Sequence, residues 1–517
     1  MRLGPAGLPA CLDRPNGGSA PFCSRQSWNR CEHTLHDLSP EKAVSKLPGM
    51  DMDKSELTPS DSPQVGLVAR MHSRLSQVWS ELGVSPQILR DGGWSFALKA
   101  VYTALAFGST VVMARLMGAE GYGVYSYAYA LISTLALPTQ AGMPHLIVRE
   151  TARGMAQANP GLVKGVWNWA GRAVAVLSAG VILIVALLLV VQHVDLGSTE
   201  GRTLAWALAL VPLIALGNLR GAALRGLRKI AAGQLPEFVI RPGIFLLLLL
   251  GASLLARSHI APPLAMALHV FAASLAFAAG AWMLWRNTPP TVGQSAAISE
   301  PRRWLVSSLT FALVSGFQVT NKQVSTLVLG VLASPRDVGI YRVAVQVSTL
   351  AAFGLEAVNA VVAPRFATLY AKGNLPRLQQ LVTASTRIVL GFNLLVTATF
   401  IVAGRVFFPL VFGSDFAASY APLLILLVGQ VVNSSTGSVA FLLNMTGHER
   451  DTTRCVGVAA VLNVVLNVLL IPMWGIQGAA TATATAMVVS NVLFWLAARR
   501  RLGIDTLAIP LRIRPRD

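Results

Sequence analysis

From Trp94 onward the chain alternates long apolar runs with short polar, basic stretches. Crossing a bilayer takes about 20 mostly apolar residues. Twelve runs reach that length, at roughly 94–116, 122–145, 167–191, 203–219, 236–256, 261–285, 305–332, 338–362, 386–412, 418–445, 454–473 and 476–498. Peptide groups cannot stay unpaired in hydrocarbon, so each run is predicted to be a helix rather than an open strand. Pro138, Pro212 and Pro242 lie inside runs and are expected to mark kinks.

The pattern is used twice. The stretch 116–142, LMGAEGYGVYSYAYALISTLALPTQAG, returns at 332–359 as LASPRDVGIYRVAVQVSTLAAFGLEAVN. A shift of 216 residues carries Gly123 onto Gly339, Val124 onto Ile340, Tyr125 onto Tyr341 and Gly221 onto Gly437. It also carries spans one to six approximately onto spans seven to twelve. Self-similarity at a fixed period means one building block repeated. Six is even, so both halves enter the membrane from the same side. The expected fold is therefore an all-α polytopic membrane protein, with twelve transmembrane helices in two six-helix bundles related by a parallel pseudo-twofold. In transporters built this way the substrate site lies between the halves. The expected boundaries are 1–92 for an N-terminal tail, 93–290 and 291–502 for the bundles, and 503–517 for a basic C-terminal tail.

Composition sharpens this picture. Only 13% of the 517 residues are charged and 54% are hydrophobic, with mean hydropathy +0.57; soluble domains usually carry about 25% charge. The net charge of +19 raises the question of nucleic acid, but the bases fall between apolar runs rather than along one face. Twenty-eight Lys and Arg residues lie on or beside the even-numbered loops and the outer flanks, against five on the odd-numbered loops. Under the positive-inside rule both termini are expected in the cytoplasm. No nucleic-acid partner is implied.

Residues 1–92 are a different polymer, rich in Pro, Ser, Gly and charge. Such composition predicts a disordered cytoplasmic tail; an alternative is a natural start at Met50, Met52 or Met71. The four cysteines, Cys11, Cys23, Cys31 and Cys455, form no C-x-x-C pair and suggest neither a disulfide framework nor a zinc site. Gly118, Gly121 and Gly123 follow no strand, so a tight outer turn is expected there rather than a phosphate-binding loop. No nucleophile with a base, paired acid and base or metal-ligand spacing occurs. The chain is read as a non-enzyme without cofactor or metal.

Four segments then carry a resemblance: 114–131 (ARLMGAEGYGVYSYAYAL), 334–347 (SPRDVGIYRVAVQV), 426–451 (LLVGQVVNSSTGSVAFLLNMTGHERD) and 462–484 (LNVVLNVLLIPMWGIQGAATATA). Over about Trp94 to Leu502 the chain resembles the bacterial oligosaccharide flippases, or polysaccharide-biosynthesis transporters. Their superfamily includes the multidrug-and-toxin extrusion proteins and lipid II flippases. The resemblance implies a central cavity, alternating access, a bacterial inner-membrane location and a polyprenyl-diphosphate-linked saccharide as substrate. Polysaccharide polymerase and glycosyltransferases are its implied partners, beside the bilayer itself.

A diphosphate in a low dielectric needs cations and hydrogen-bonding side chains around it, and charges inside spans are functional candidates. Lys322, flanked by Asn321 and Gln323, lies in the most polar patch of any span. It is read as a cavity cation, or as a structural lysine paired with Glu356. Where family members often show an acid just after a basic residue, this chain has Ser325. Lys99 in span one either meets an arriving diphosphate or snorkels to the interface. Glu356 and its repeat partner Gln140 are further cavity candidates; Glu356 reads as a protonatable group or a neutralised core residue. Asn433, with Asn444, Asn463 and Asn467, is explained by sugar contact or by interhelical hydrogen bonds. His269 reads as structural, Arg115 and Arg405 as anchors. Arg220, Arg225, Arg228 and Lys229 form a basic cluster, expected either as topology signal or as contact with anionic lipid headgroups or a phosphorylated substrate. Residues 363–387 read as an amphipathic connector at the membrane surface. Two other functions compete with the flippase: a cation-coupled drug antiporter of the same fold, and a non-transporting component of an export assembly.

Overall fold

The computed structural model describes residues 86–193, 195–256 and 260–509, and every expected span is helical. The tail expectation, its alternative starts and residues 510–517 lie outside the described residues, although helix is already formed from Pro86. Nine helical stretches among the described residues are long and apolar enough to cross a membrane. Two of them hold two spans each. Pro86–Gln140 contains spans one and two and leaves helical geometry at Gly118, φ 67°. Glu449–Leu502 contains spans eleven and twelve and breaks at Gly475, φ 54°. The turn expected over three glycines is thus made by Gly118 alone. Span seven, Pro301–Leu332, completes the twelve; its polar patch keeps it out of the nine.

Spans four and five are irregular. Span four runs as Thr199–Leu208 and Leu210–Gly226, with Pro212 just past the break. Span five begins as Ile230–Leu235, widens into a π-turn at Pro236–Ile240 and continues as Arg241–Ala256. Pro242 follows that turn. π-turns change which face a helix presents and recur at functional sites. The surface connector expected at 363–387 is not a separate element. Its residues complete the helix Pro335–Ala371, turn at Gly373, and open the helix Leu375–Phe412.

Leu183, Leu187, Val190, Leu254 and Leu255 point outward, exposed. In water such a belt would be a liability; facing lipid it is solvated. Inside, one apolar cluster crosses from bundle to bundle. It joins Met113, Tyr122 and Ile132 to Val338, Tyr341, Phe412 and Phe416, and Tyr122 meets Phe416 edge-on at 6.4 Å. These residues seal the seam at the end holding the odd-numbered loops. Gly123 and Gly339 touch there.

The link between the bundles is tied down. Lys164 Nζ donates to the carbonyls of Gly293 and Ser295, at 2.6 and 3.0 Å. Trp304, at the start of span seven, is fully buried among Leu146, Leu162 and Val166 of the first bundle. Residues 503–509, expected as the start of a tail, fold back instead. Asp505 and Ala508 offer carbonyls to Gln379 and Arg387, at 2.6 and 3.0 Å.

Candidate functional site: a cation-lined cavity between the bundles

At the end bearing the basic loops a cavity of about 440 Å³ separates the bundles. Span seven forms one wall. Ser315, Gln318 and Lys322 line it at spacings of three and four, which is one face of a helix, and Gln323 stands about 100° round from Lys322 at its edge. The other wall comes from spans one, two, four and five, with Tyr102, Tyr129, Gln140, Asn218, Arg225, Glu237 and Arg241. Gln140 Oε1 accepts from Asn218 Nδ2 at 2.9 Å. Tyr129 stacks on buried Tyr125 and His269, while Tyr102 tilts against Phe238. The lining thus has three basic side chains, a set of amides and an aromatic floor. Ser133 Oγ and Gln323 Oε1, on lining residues, are buried without a partner. His145 also lines the space.

Glu237 is the one carboxylate among the described lining residues. Its Oε2 lies 3.1 Å from Arg241 and its Oε1 3.4 Å from Arg220. Arg220 sits behind the wall, 4% exposed, and donates to the Phe277 carbonyl of span six at 2.7 Å.

The sequence candidates divide. Lys322, Gln323 and Gln140 line the cavity; so does Arg225, from the basic cluster read as a topology signal or a contact for headgroups or a phosphorylated substrate. Asn321 points elsewhere: its backbone carbonyl accepts from Asn463 Nδ2 at 3.3 Å, and Asn463 Oδ1 accepts from Asn467 at 2.8 Å. Those asparagines bind helices together. Asn433 bonds to Gln430 one turn away on its own helix, at 3.3 Å, and is outside the cavity. Arg220 is no headgroup contact, because it is buried between spans four, five and six. Arg228 and Lys229 are exposed at the turn between spans four and five.

Glu356 does not pair with Lys322. It binds Lys99 at 2.8 Å across the seam between spans one and eight, both side chains about half exposed, at 46% and 51%. Phe96 and Phe353 meet beside them at 5.3 Å. An apolar groove of about 570 Å³ runs from that seam between span one and spans eight and nine, lined by Ala104, Phe107, Phe353, Phe392 and Phe400. Ser325, standing where an acid was sought, bonds to Thr483 of span twelve at 2.8 Å. His269 is held by Tyr125, Oη to Nδ1, at 2.6 Å. Arg405 lies over the Tyr420 ring, and Arg115 caps the Leu410 and Val411 carbonyls of span nine.

Sequence reasoning missed Arg241, Glu237, Asn218, Tyr102 and Tyr129. Arg241 and Glu237 fall in the first turns of expected span five and were given no role. The signal available was the dipeptide Arg241-Pro242 opening an apolar run four residues after an acid.

A model of the family described as "Polysaccharide biosynthesis protein" matches residues 88–370, from span one through span eight. The chain belongs to the polysaccharide biosynthesis protein family. This family member is 24% identical over 400 residues to the "Probable low-salt glycan biosynthesis flippase Agl15" of Haloferax volcanii, covering 75% of this chain and 79% of that protein. A shorter match, 30% over 179 residues, joins it to the "Probable flippase AglR" of the same organism, over 32% of this chain and 36% of that one. The lipid II flippase MurJ in an inward closed conformation superposes with TM-score 0.62 at 11% identity, over 78% of this chain and 87% of that one. An inward-facing multidrug resistance MATE family transporter of the MOP superfamily superposes with TM-score 0.64 at 14% identity, over 78% and 94%. At those identities the structures establish the fold. The family member is a multi-pass membrane transporter of polysaccharide biosynthesis, and its relatives are flippases rather than enzymes.

Proposed function

We propose that the protein carries a polyprenyl-diphosphate-linked oligosaccharide from the cytoplasmic to the outer leaflet of a bacterial inner membrane, by alternating access of its two bundles. The observation that carries this reading is the mixed lining of the inter-bundle cavity. Three cations, Arg225, Arg241 and Lys322, face a diphosphate, and amides and tyrosine faces at the same level suit sugar hydroxyls and ring C–H groups. The apolar groove outside the Lys99–Glu356 seam has the shape and lining for a prenyl chain that never leaves hydrocarbon. The lysine and arginine distribution favours cytoplasmic termini, so the cavity opens toward the side where such lipids are assembled. Glycosyltransferases supplying the lipid-linked unit and a polymerase consuming it are the expected neighbours.

Deleting the gene should abolish surface polysaccharide and leave lipid-linked units accumulating on the inner leaflet. The wild-type gene should restore export, and Lys322→Ala or Arg241→Gln should restore it poorly at equal protein level. Full export by both variants would remove the cavity from the reading. Drug sensitivity with intact polysaccharide would favour an antiporter.

A further inference from the structure

Arg241 is already paired before any ligand arrives. Its partner Glu237 divides its two oxygens between two arginines, Oε2 for Arg241 in the cavity and Oε1 for Arg220 behind it. The neighbouring helices are built around this arrangement. A Cβ at Gly217 of span four would stand 2.6 Å from Glu237 Oε1, and one at Gly280 of span six would overlap the Arg220 guanidinium. Arg220 is further fixed by the Phe277 carbonyl and ring. The carboxylate is thus held from behind by a cation outside the inter-bundle cavity, while its second cation lines that cavity.

We propose that Glu237 is a resident counter-ion that the substrate's phosphate must displace from Arg241, and that it sets the preference for a diphosphate over a single phosphate. This rests on the cavity being the headgroup site. When phosphate takes Arg241, Glu237 keeps its pairing with Arg220, so the exchange leaves no buried charge uncompensated. A diphosphate spans Arg241 and a second cavity cation and wins the exchange. A lone phosphodiester, the headgroup chemistry of the surrounding phospholipids, offers one charge against one carboxylate and gains little. On the far side Glu237 recaptures Arg241 and assists release. Glu237 is a specificity-determining residue in this scheme, acting through Arg241.

The test measures binding of pyrophosphate and inorganic phosphate to the purified full-length protein in nanodiscs. Wild type should prefer pyrophosphate. Glu237→Gln, isosteric but uncharged, should bind both more tightly, phosphate by about tenfold and pyrophosphate by less, so that the preference shrinks. In an Arg241→Gln background the same change should have no effect. A purely structural Glu237 predicts the opposite sign, because loss of the carboxylate would misplace Arg241 and weaken both ligands. If Glu237→Gln fails to fold, Glu237→Asp serves: it keeps the charge but shortens its reach, and should give a smaller tightening of the same sign. Weaker or unchanged binding in the folded variant overturns the inference alone. Pyrophosphate binding that Arg241→Gln and Lys322→Ala leave undiminished, or no binding by wild type, overturns both the inference and the cavity assignment.

Discussion

Gly123 and Gly339 face each other across the seam between the bundles. A Cβ built on either would come within 3.1 Å of the other's backbone nitrogen. These residues are equivalent under the 216-residue repeat, and a residue that touches its own repeat mate marks where the pseudo-twofold axis passes. The contact lies at the sealed end of the molecule. A Cβ on Gly123 would overlap the Pro335 carbonyl, and one on Gly339 the Ala119 carbonyl. Backbone atoms cannot step aside as a flexible side chain can.

Alanine at either position should therefore obstruct this closure. Overpacking of this kind costs about 1–3 kcal/mol, enough to shift a two-state ratio by about one to two decades. Labelling of Gln318→Cys by a membrane-impermeant thiol reagent added from the basic-loop side should slow in Gly339→Ala. Unchanged labelling would mean that the glycine contact does not hold this state.

Lys99–Glu356 bridges the bundles at the opposite end, but both groups are half exposed. Pairs so placed are worth about 0–1 kcal/mol. Glu356→Gln should leave thermal stability nearly unchanged while altering export, since a seam must part for alternating access. Exchanging the two residues should recover export. A large fall in melting temperature on Glu356→Gln would identify the pair as structural instead.

Arg220 should behave unlike its neighbours in sequence. Removing one partner from a buried ion pair costs about 3–5 kcal/mol, so Arg220→Gln should lower the melting temperature steeply. Arg228→Gln, at an exposed turn, should change stability by about 0.5 kcal/mol or less. Similar effects of the two on thermal unfolding would count against burial of Arg220.

Asn463 and Lys322 should separate stability from binding. Asn463 is buried and bridges Asn321 and Asn467; a membrane interhelical hydrogen bond contributes about 0.6 to 1.7 kcal/mol. Asn463→Ala should lose about that much stability and keep pyrophosphate affinity. Lys322→Ala should do the reverse, measured by thermal unfolding and calorimetry on the same preparations.

Helical spans, their number, the repeat and the clustering of bases on alternate loops were determined by the sequence itself. All are local quantities, because the hydropathy of some twenty successive residues decides whether a segment can leave water. Span seven shows where that reasoning stops. Gln318 and Lys322 share a face because they follow helical spacing, whereas Asn321 and Gln323 each stand about 100° from Lys322, on opposite sides; Gln323 meets the cavity and Asn321 meets span eleven. Which face met the cavity could not be read, because it depends on how the helix packs. Tertiary structure alone decided that Glu356 answers Lys99, 257 residues distant, rather than Lys322. It alone turned Glu237 and Arg241 inward through a π-turn and buried Arg220 behind them. Charge partners in a membrane bundle are chosen by which helices touch and how each is rotated, and no single segment carries that information.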